Sequence, residues 1–294
     1  MTGRFGSVLT AMVTPFRDDY SFDLDGAQKL TSWLLENGTD TIVAAGSTGE
    51  APTLTHEEKG DLFRAVVEAA SGKGKVIGGT GTYSTQETIE LTRLAQAAGC
   101  DGALVVAPYY SKPPQRGLVA HYSAVAESTD LPILLYNIPS RVGIRIEHET
   151  ILQLAALPNI VGVKDSTGDF DGLSRLLRES PPDFDVYGGD DWATFGQVCL
   201  GAAGIVSVAS HLVGAQIREM IELIETGDVV AGRKIHDELS ALYSVLFITS
   251  NPIPVKAALE LVGRPAGPPR LPLVPATQDE RERIRKVLEE TNLL

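Results

Sequence analysis

Short apolar runs rich in β-branched residues alternate eight times with amphipathic helical segments over most of the chain. The runs begin roughly 20 to 35 residues apart, which is the spacing of successive βα units. Strands that are apolar on both faces belong inside a parallel sheet covered by helices, so the pattern predicts a closed (β/α)8 TIM barrel. An open, doubly wound parallel sheet gives similar local signals and remains the alternative. The predicted strands cover residues 8–12, 41–44, 76–79, 103–106, 133–136, 160–163, 185–187 and 205–208.

The last part of the chain has a different pattern. After Gly227 no further strand is predicted, and the helical periodicity is interrupted by prolines. We therefore expect residues 1–226 to form the barrel that carries the active site and residues 227–294 to form a helical appendage packed on it. The predicted helices of the appendage cover residues 230–246, 255–262 and 277–293.

Charge and composition restrict the partners. The 294-residue chain has a formal net charge of -13 and a sequence pI of about 4.8. Its surface repels phosphate backbones and anionic headgroups, so we expect neither nucleic acid nor membrane as a partner. Residues 1–16 lack an apolar signal-peptide core and no later run approaches a membrane span, which predicts a soluble, cytoplasmic protein.

Cys100 and Cys199 are expected to be buried and unpaired.

Lys164 is the first candidate for chemistry. In a (β/α)8 barrel the active site lies at the C-terminal ends of the strands. Of nine lysines, only Lys164 directly follows a predicted strand, the sixth. A lysine partly withdrawn from water is more readily neutral and can then attack a carbonyl carbon. The alternative is a lysine at the strand end whose ammonium group extends to solvent.

Hydroxyl and guanidinium groups follow other strands at the same rim. Tyr136 ends the fifth strand and Tyr110 follows the fourth, and a tyrosine hydroxyl can both donate and accept a proton. Ser47 or Thr48, in a glycine-flanked turn, can extend a hydroxyl relay and offer N–H groups to a carboxylate. Arg141 can bind a carboxylate through two hydrogen bonds. Taken singly, each tyrosine is also typical of a rim aromatic, and Arg141 of a surface ion pair.

Metal and nucleotide chemistry lack their usual motifs. The five histidines show neither His-x-His nor His-Glu-x-x-His spacing, so a zinc-dependent aldolase has no evident ligands. No Walker loop occurs, and Ser84 stands where a dinucleotide fingerprint needs its last glycine. Asp190 and Asp191, without histidine partners, are expected to cap a helix or to be solvated. We therefore expect no metal and no separate cofactor.

The motifs at the strand ends, in this order and spacing, resemble those of the dihydrodipicolinate synthase family. This family belongs to the pyruvate-dependent class I aldolases, which include N-acetylneuraminate lyase. The likeness extends over nearly the whole chain, including residues 251–256 of the appendage. The motifs that carry it are Gly46-Ser47-Thr48-Gly49-Glu50, Pro108-Tyr109-Tyr110, Tyr136-Asn137-Ile138-Pro139-Ser140-Arg141, Val163-Lys164-Asp165 and Gly189-Asp190-Asp191.

The resemblance implies a catalytic set. Lys164 would form an imine with pyruvate, and this covalent intermediate would take the place of a cofactor. Tyr136 would shuttle protons, and Ser47 would complete a relay with Tyr110 from a neighbouring subunit. The implied assembly is a homotetramer built from dimers, because the relay crosses a subunit interface.

The resemblance also implies the substrate contacts. Thr48 would hold the pyruvate carboxylate, with Gly189 and Val206 lining the pocket. Arg141 would bind the carboxylate of aspartate semialdehyde. The implied reaction is the condensation of these two substrates in lysine and diaminopimelate biosynthesis.

One position departs from the family pattern. Ser47 stands where the synthase usually has threonine, and Gly-Ser-Thr-Gly-Glu is also the form found in the neuraminate lyase. Serine retains the hydroxyl but loses the methyl group that restricts its rotamer. Another pyruvate aldolase, acting on sialic acid or a 2-keto-3-deoxy sugar acid, therefore remains an alternative, although Arg141 favours the synthase. A non-catalytic paralogue that binds a keto acid is a further alternative.

The resemblance bears on regulation as well. Many family members bind lysine in a cleft at the tight dimer interface. At the corresponding positions this sequence keeps His56, Glu87 and Tyr109 but has Lys59 in place of a histidine and Tyr83 in place of an asparagine. A fixed ammonium group repels the cationic ligand, so we predict weak or absent inhibition by lysine. If Lys59 instead points to solvent, the cleft is unaltered.

Overall fold

A computed structural model describes residues 3–294 and contains a closed barrel of eight parallel strands. The strands are β1 (Val8–Ala11), β2 (Thr41–Ala44), β3 (Lys75–Gly79), β4 (Gly102–Val106), β5 (Ile133–Asn137), β6 (Ile160–Asp165), β7 (Asp185–Gly188) and β8 (Gly204–Ser207). Each strand pairs with the next, and β8 pairs with β1, which closes the ring. The predicted TIM barrel is confirmed, and the open-sheet alternative is wrong.

Helices cover the outside of this ring. In the first of them, Ala27, Leu30 and Leu34 are buried and lie on one face, as an amphipathic helix packed on a sheet requires. Its N-terminus is capped by Asp23, whose carboxylate accepts the Gly26 N–H. The helices of the barrel are α1 (Leu24–Glu36), α2 (His56–Ala70), α3 (Thr85–Ala97), α4 (Gln115–Glu127), α5 (Pro139–Val142), α6 (His148–Ala155), α7 (Phe170–Glu179), α8 (Thr194–Cys199) and α9 (Ser210–Glu225).

Three helices form the C-terminal appendage. They are α10 (Val229–Val245), α11 (Ile253–Leu261) and α12 (Gln278–Glu290), close to the three helices that the sequence predicts. The predicted boundary at residue 227 falls between α9 and α10. Helix α10 packs along α9, and α12 contacts both α10 and α11. Within residues 3–294, none of the helices combines the length and apolar character that a membrane span requires.

The two cysteines differ in environment. Cys100 is buried, as expected, and burial raises the pKa of its thiol to about 12. The expectation that Cys199 is also buried is wrong, because it ends the short helix α8 on the exposed side, next to the exposed Leu200. Both thiols are free.

A buried ion pair joins the appendage to the barrel. Lys256 of α11 places Nζ 2.6 Å from Oε1 of Glu50, in the turn after β2, and both side chains are almost fully buried. The other Glu50 oxygen accepts the Arg270 N–H at 2.8 Å. Burial lowers the pKa of Lys256 to about 8, against the opposing effect of the Glu50 carboxylate. Each member of this buried pair therefore depends on the other for compensation of its charge.

We predict that Lys256→Met lowers the free energy of unfolding by about 3 to 5 kcal/mol, because it leaves the Glu50 carboxylate buried without its counter-ion. The double variant Lys256→Met with Glu50→Gln is expected to recover most of this loss, since glutamine still accepts the Arg270 N–H. Chemical denaturation of the single and double variants measures both effects. A loss below about 1 kcal/mol in Lys256→Met, the value of an exposed pair, would contradict the prediction.

Candidate active site

Lys164 lies on the inner face of β6 and is only 5% exposed. It is paired in register with Tyr136 of β5, and its Nζ lies 4.2 Å from the centroid of the Tyr136 ring. In the part of the chain that the structure describes, Nζ forms no ion pair. The alternative of a lysine extending to solvent is wrong, and the amine is held beside a tyrosine at the rim.

Tyr136 and Ser47 open onto one cavity of about 570 Å³ at the C-terminal ends of the strands. Arg141, on the short helix α5, lines the same cavity. Lys164 packs against the Tyr136 ring behind this lining. Three of the eight predicted site residues thus line one cavity, and Lys164 contacts one of them.

Gly189 leaves room beside the amine. A methyl group in its place would lie 3.0 Å from Lys164 Cε and 1.9 Å from Ser166 Oγ, so only glycine fits without a shift. Val206 of β8 is fully buried and belongs to the same inner apolar cluster as Tyr136. Neither residue lines the cavity itself, and their role in pyruvate binding stays a prediction.

The turn after β2 contains main-chain donors without acceptors. Ala45 and Glu50, at its two ends, have positive φ values of 53° and 56°, which is unusual for non-glycine residues and is typical of functional turns. Gly79 permits this conformation, since a methyl group there would lie 2.2 Å from the Ala45 carbonyl oxygen. Within residues 3–294, the N–H groups of Ser47 and Thr48 have no acceptor. Of these two residues, Ser47 lines the cavity and Thr48 is buried directly behind it in the chain.

Asn251 was not assigned a role from the sequence, yet it contacts two of the predicted substrate residues. It lies between α10 and α11, and its Nδ2 donates to Thr48 Oγ1 at 2.9 Å. Its carbonyl oxygen accepts a hydrogen bond from Arg141 Nη2 at 3.3 Å. The only sequence signal for it is its position at the start of the Asn-Pro-Ile-Pro segment of the appendage.

Asp191 caps a helix, which is one of the two expected roles, and Asp190 beside it is partly buried. Asp191 is buried and accepts hydrogen bonds from the Ser207 hydroxyl and from the N–H groups of Val208 and Ala209, at the start of α9. Burial raises the pKa of both carboxyls, and the ammonium of Lys164 opposes this rise. Among residues 3–294, no cluster of acidic, histidine and cysteine side chains has the arrangement of a metal site.

Tyr110 stands apart from the other candidates. Its side chain is 93% exposed and does not line the cavity of its own chain. The backbone at Tyr110 is left-handed, with a φ of 70°. A relay through Tyr110 is therefore not formed within one subunit.

The cavity continues into a charged cleft. Lys59 is 5% exposed and lines the cleft, so the alternative in which it points to solvent is wrong. Burial lowers the pKa of Lys59, and the Glu87 carboxylate opposes this. That carboxylate is hydrogen-bonded to His56 Nε2 at 3.0 Å. Tyr83 packs edge-on against Tyr109 with 5.4 Å between ring centroids.

Comparisons with known proteins agree along the whole chain. The Dihydrodipicolinate synthetase family model matches residues 4–291. The 4-hydroxy-tetrahydrodipicolinate synthase of Moorella thermoacetica is 50% identical over 99% of this chain and 100% of its own length. The enzyme of the same name from Desulforamulus reducens is 49% identical over 99% of this chain and 98% of its own. The crystal structure of DHDPS from Cyanidioschyzon merolae with lysine bound has a TM-score of 0.98, 45% identity and complete coverage of both chains.

Proposed function

Because the chain belongs to the dihydrodipicolinate synthetase family, we propose that it is a lyase that condenses pyruvate with L-aspartate 4-semialdehyde to 4-hydroxy-tetrahydrodipicolinate. The reaction serves lysine and diaminopimelate biosynthesis, and we place it in the cytoplasm. One observation carries the proposal. The buried Lys164 amine lies against the ring of Tyr136, and Tyr136 lines a cavity that Arg141 also lines.

The chemistry follows from the amine. Lys164 attacks C2 of pyruvate, and the resulting carbinolamine loses water to give an imine. Tyr136 carries the proton in this step, because its ring lies against the amine. Ser47, lining the same cavity, passes protons between Tyr136 and Tyr110 of a second subunit. The protonated imine is the electron sink, so the reaction needs no metal or separate cofactor.

The second half of the reaction uses the aldehyde. Loss of a proton from C3 of the imine gives an enamine, whose C3 attacks the aldehyde carbon. The amino group of the semialdehyde then displaces Lys164 from the imine carbon, which closes the ring and frees the enzyme. Over the whole cycle one water is released. The pyruvate carboxylate lies at the Ser47 and Thr48 N–H groups, Gly189 and Val206 border the pyruvate, and Arg141 receives the semialdehyde carboxylate.

We predict that the wild type consumes aspartate semialdehyde in a coupled assay much faster than it cleaves N-acetylneuraminate or 2-keto-3-deoxy sugar acids. Arg141→Ala is expected to lower kcat/KM for the semialdehyde roughly tenfold to a hundredfold, since a charged carboxylate contact contributes about 1.5 to 3 kcal/mol. Imine formation with pyruvate is expected to change little.

The control for that variant is Arg145→Ala, which removes an arginine paired with Asp169 outside the cavity. Its kinetics are expected to match those of the wild type. Preferential cleavage of a sugar acid by the wild type would replace the proposed function with that of another pyruvate aldolase. Binding of pyruvate without turnover of any aldehyde would favour the non-catalytic paralogue.

The subunit arrangement is part of the proposal. The exposed Tyr110 and the half-exposed Tyr83 provide aromatic surface where a second subunit is needed to complete the relay. We predict a homotetramer built from dimers. Sedimentation of the active protein measures the assembly, and a monomer with full activity would contradict the prediction.

We predict weak or absent inhibition by lysine. The Lys59 side chain faces the cleft and forms no direct ion pair among the described residues, while the Glu87 carboxylate is hydrogen-bonded to His56 and offsets part of its charge from a distance. A cationic ligand is therefore repelled. Titration of lysine into the coupled assay measures this, with Lys59→Met expected to bind lysine more tightly than the wild type. Half-inhibition of the wild type well below about 1 mM would show the prediction to be wrong.

A further inference from the structure

Asn251 connects the two predicted carboxylate sites. Its side-chain Nδ2 donates to Thr48 Oγ1 at 2.9 Å, and its main-chain oxygen accepts from Arg141 Nη2 at 3.3 Å. Thr48 is assigned to pyruvate and Arg141 to the semialdehyde. One buried residue of the appendage thus bonds to one residue of each substrate site.

We propose that Asn251 is a positioning residue that orients the Thr48 hydroxyl toward the pyruvate carboxylate and holds the Arg141 guanidinium for the semialdehyde carboxylate. The proposal deepens the proposed function and rests on it for the identity of the second substrate. Asn251 acts through Thr48 and Arg141 and needs no contact with the reacting atoms.

The direction of the hydrogen bond to Thr48 determines what that hydroxyl can do. A hydroxyl group has one proton and two lone pairs. When the amide of Asn251 donates to Oγ1, a lone pair is occupied and the Thr48 proton remains free for an anion. An acceptor in the place of Nδ2 would take that proton and turn it away from pyruvate. The asparagine amide thus makes Thr48 a donor toward the ligand.

In this orientation of the Asn251 amide, the side-chain oxygen has no hydrogen-bond partner among the described residues. This oxygen, Oδ1, is buried. Buried acceptors without partners are rare in folded proteins. The bond to Thr48 is therefore the polar contact that the side chain makes.

The surrounding fold holds Asn251 rigidly against the turn. Glu50 lies in the same turn as Thr48, and it forms the buried 2.6 Å ion pair with Lys256 of α11. Asn251 lies just before α11, and Lys256 lies in the first part of that helix. The appendage therefore contacts this turn at two points, the Asn251–Thr48 hydrogen bond and the Lys256–Glu50 ion pair.

The test compares substitutions that differ in hydrogen bonding and in volume. Asn251→Asp keeps the shape but replaces the donor with an acceptor, whereas Asn251→Ala removes the side chain. The readout is the pyruvate concentration that gives half-maximal borohydride trapping on Lys164, which does not require the second substrate. We expect a rise of at least about tenfold in Asn251→Asp and a smaller rise in Asn251→Ala, with maximal trapping unchanged.

Thr48→Val shows whether the effect passes through the hydroxyl. If it does, adding Asn251→Asp to Thr48→Val raises the half-saturating pyruvate concentration by no more than about twofold. Simple charge repulsion from the new carboxylate would persist in the valine background. Asn159→Asp is the matched control, because Asn159 donates to the Ala126 and Thr129 carbonyls away from the cavity. It is expected to leave pyruvate binding unchanged.

Several results would overturn the proposal. These are an unchanged half-saturation in Asn251→Asp, a larger effect of Asn251→Ala than of Asn251→Asp, or an equal effect of Asn251→Asp with and without Thr48. Both variants keep the main-chain oxygen that Arg141 contacts, so KM for aspartate semialdehyde and kcat at saturation are expected to stay within about threefold of the wild type. If the wild type traps pyruvate but does not use the semialdehyde, the proposed function fails while the trapping test of Asn251 still stands.

Discussion

The closed ring of parallel strands is the constraint on which the rest of the structure depends. All eight strands end at the same rim, so side chains that are far apart in the sequence meet there. Backbone hydrogen bonds fix the register between β5 and β6, and this register alone places Tyr136 beside Lys164. Burial on the inner face then keeps the Lys164 amine out of bulk water, with glycine at position 189 leaving the space next to it.

The appendage completes the rim instead of merely covering the barrel. Lys256 neutralises a glutamate that the turn after β2 buries, and Asn251 reaches the threonine of the same turn. The turn itself has two non-glycine residues with positive φ, a conformation that costs free energy and needs support from its surroundings. Contacts from the appendage provide that support, so the geometry of the site and the stability of the chain depend on the same residues.

Periodicity and strand ends predict most of the fold and much of the site. The eight strands lie within one or two residues of their predicted positions, because strands buried on both faces appear as apolar runs between turn signals. Lys164 and Tyr136 were found because they close such runs. The sequence does not identify Asn251 as a site residue. It is 203 residues away from Thr48 in the chain, so no local sequence pattern indicates their hydrogen bond. The burial of Asp191 likewise depends on the start of α9, which lies far from it in the sequence and donates to its carboxylate.

The central claim is that the buried Lys164 amine forms an imine with pyruvate, and chemical trapping tests it most directly. Borohydride reduces an imine to a stable amine but does not fix a keto acid that is bound without a covalent bond. Mass spectrometry of a digest made after reduction in the presence of pyruvate is expected to find the adduct on the peptide that contains Lys164, and to find none when pyruvate is omitted. An adduct on another lysine, or active enzyme with no adduct, would contradict the account.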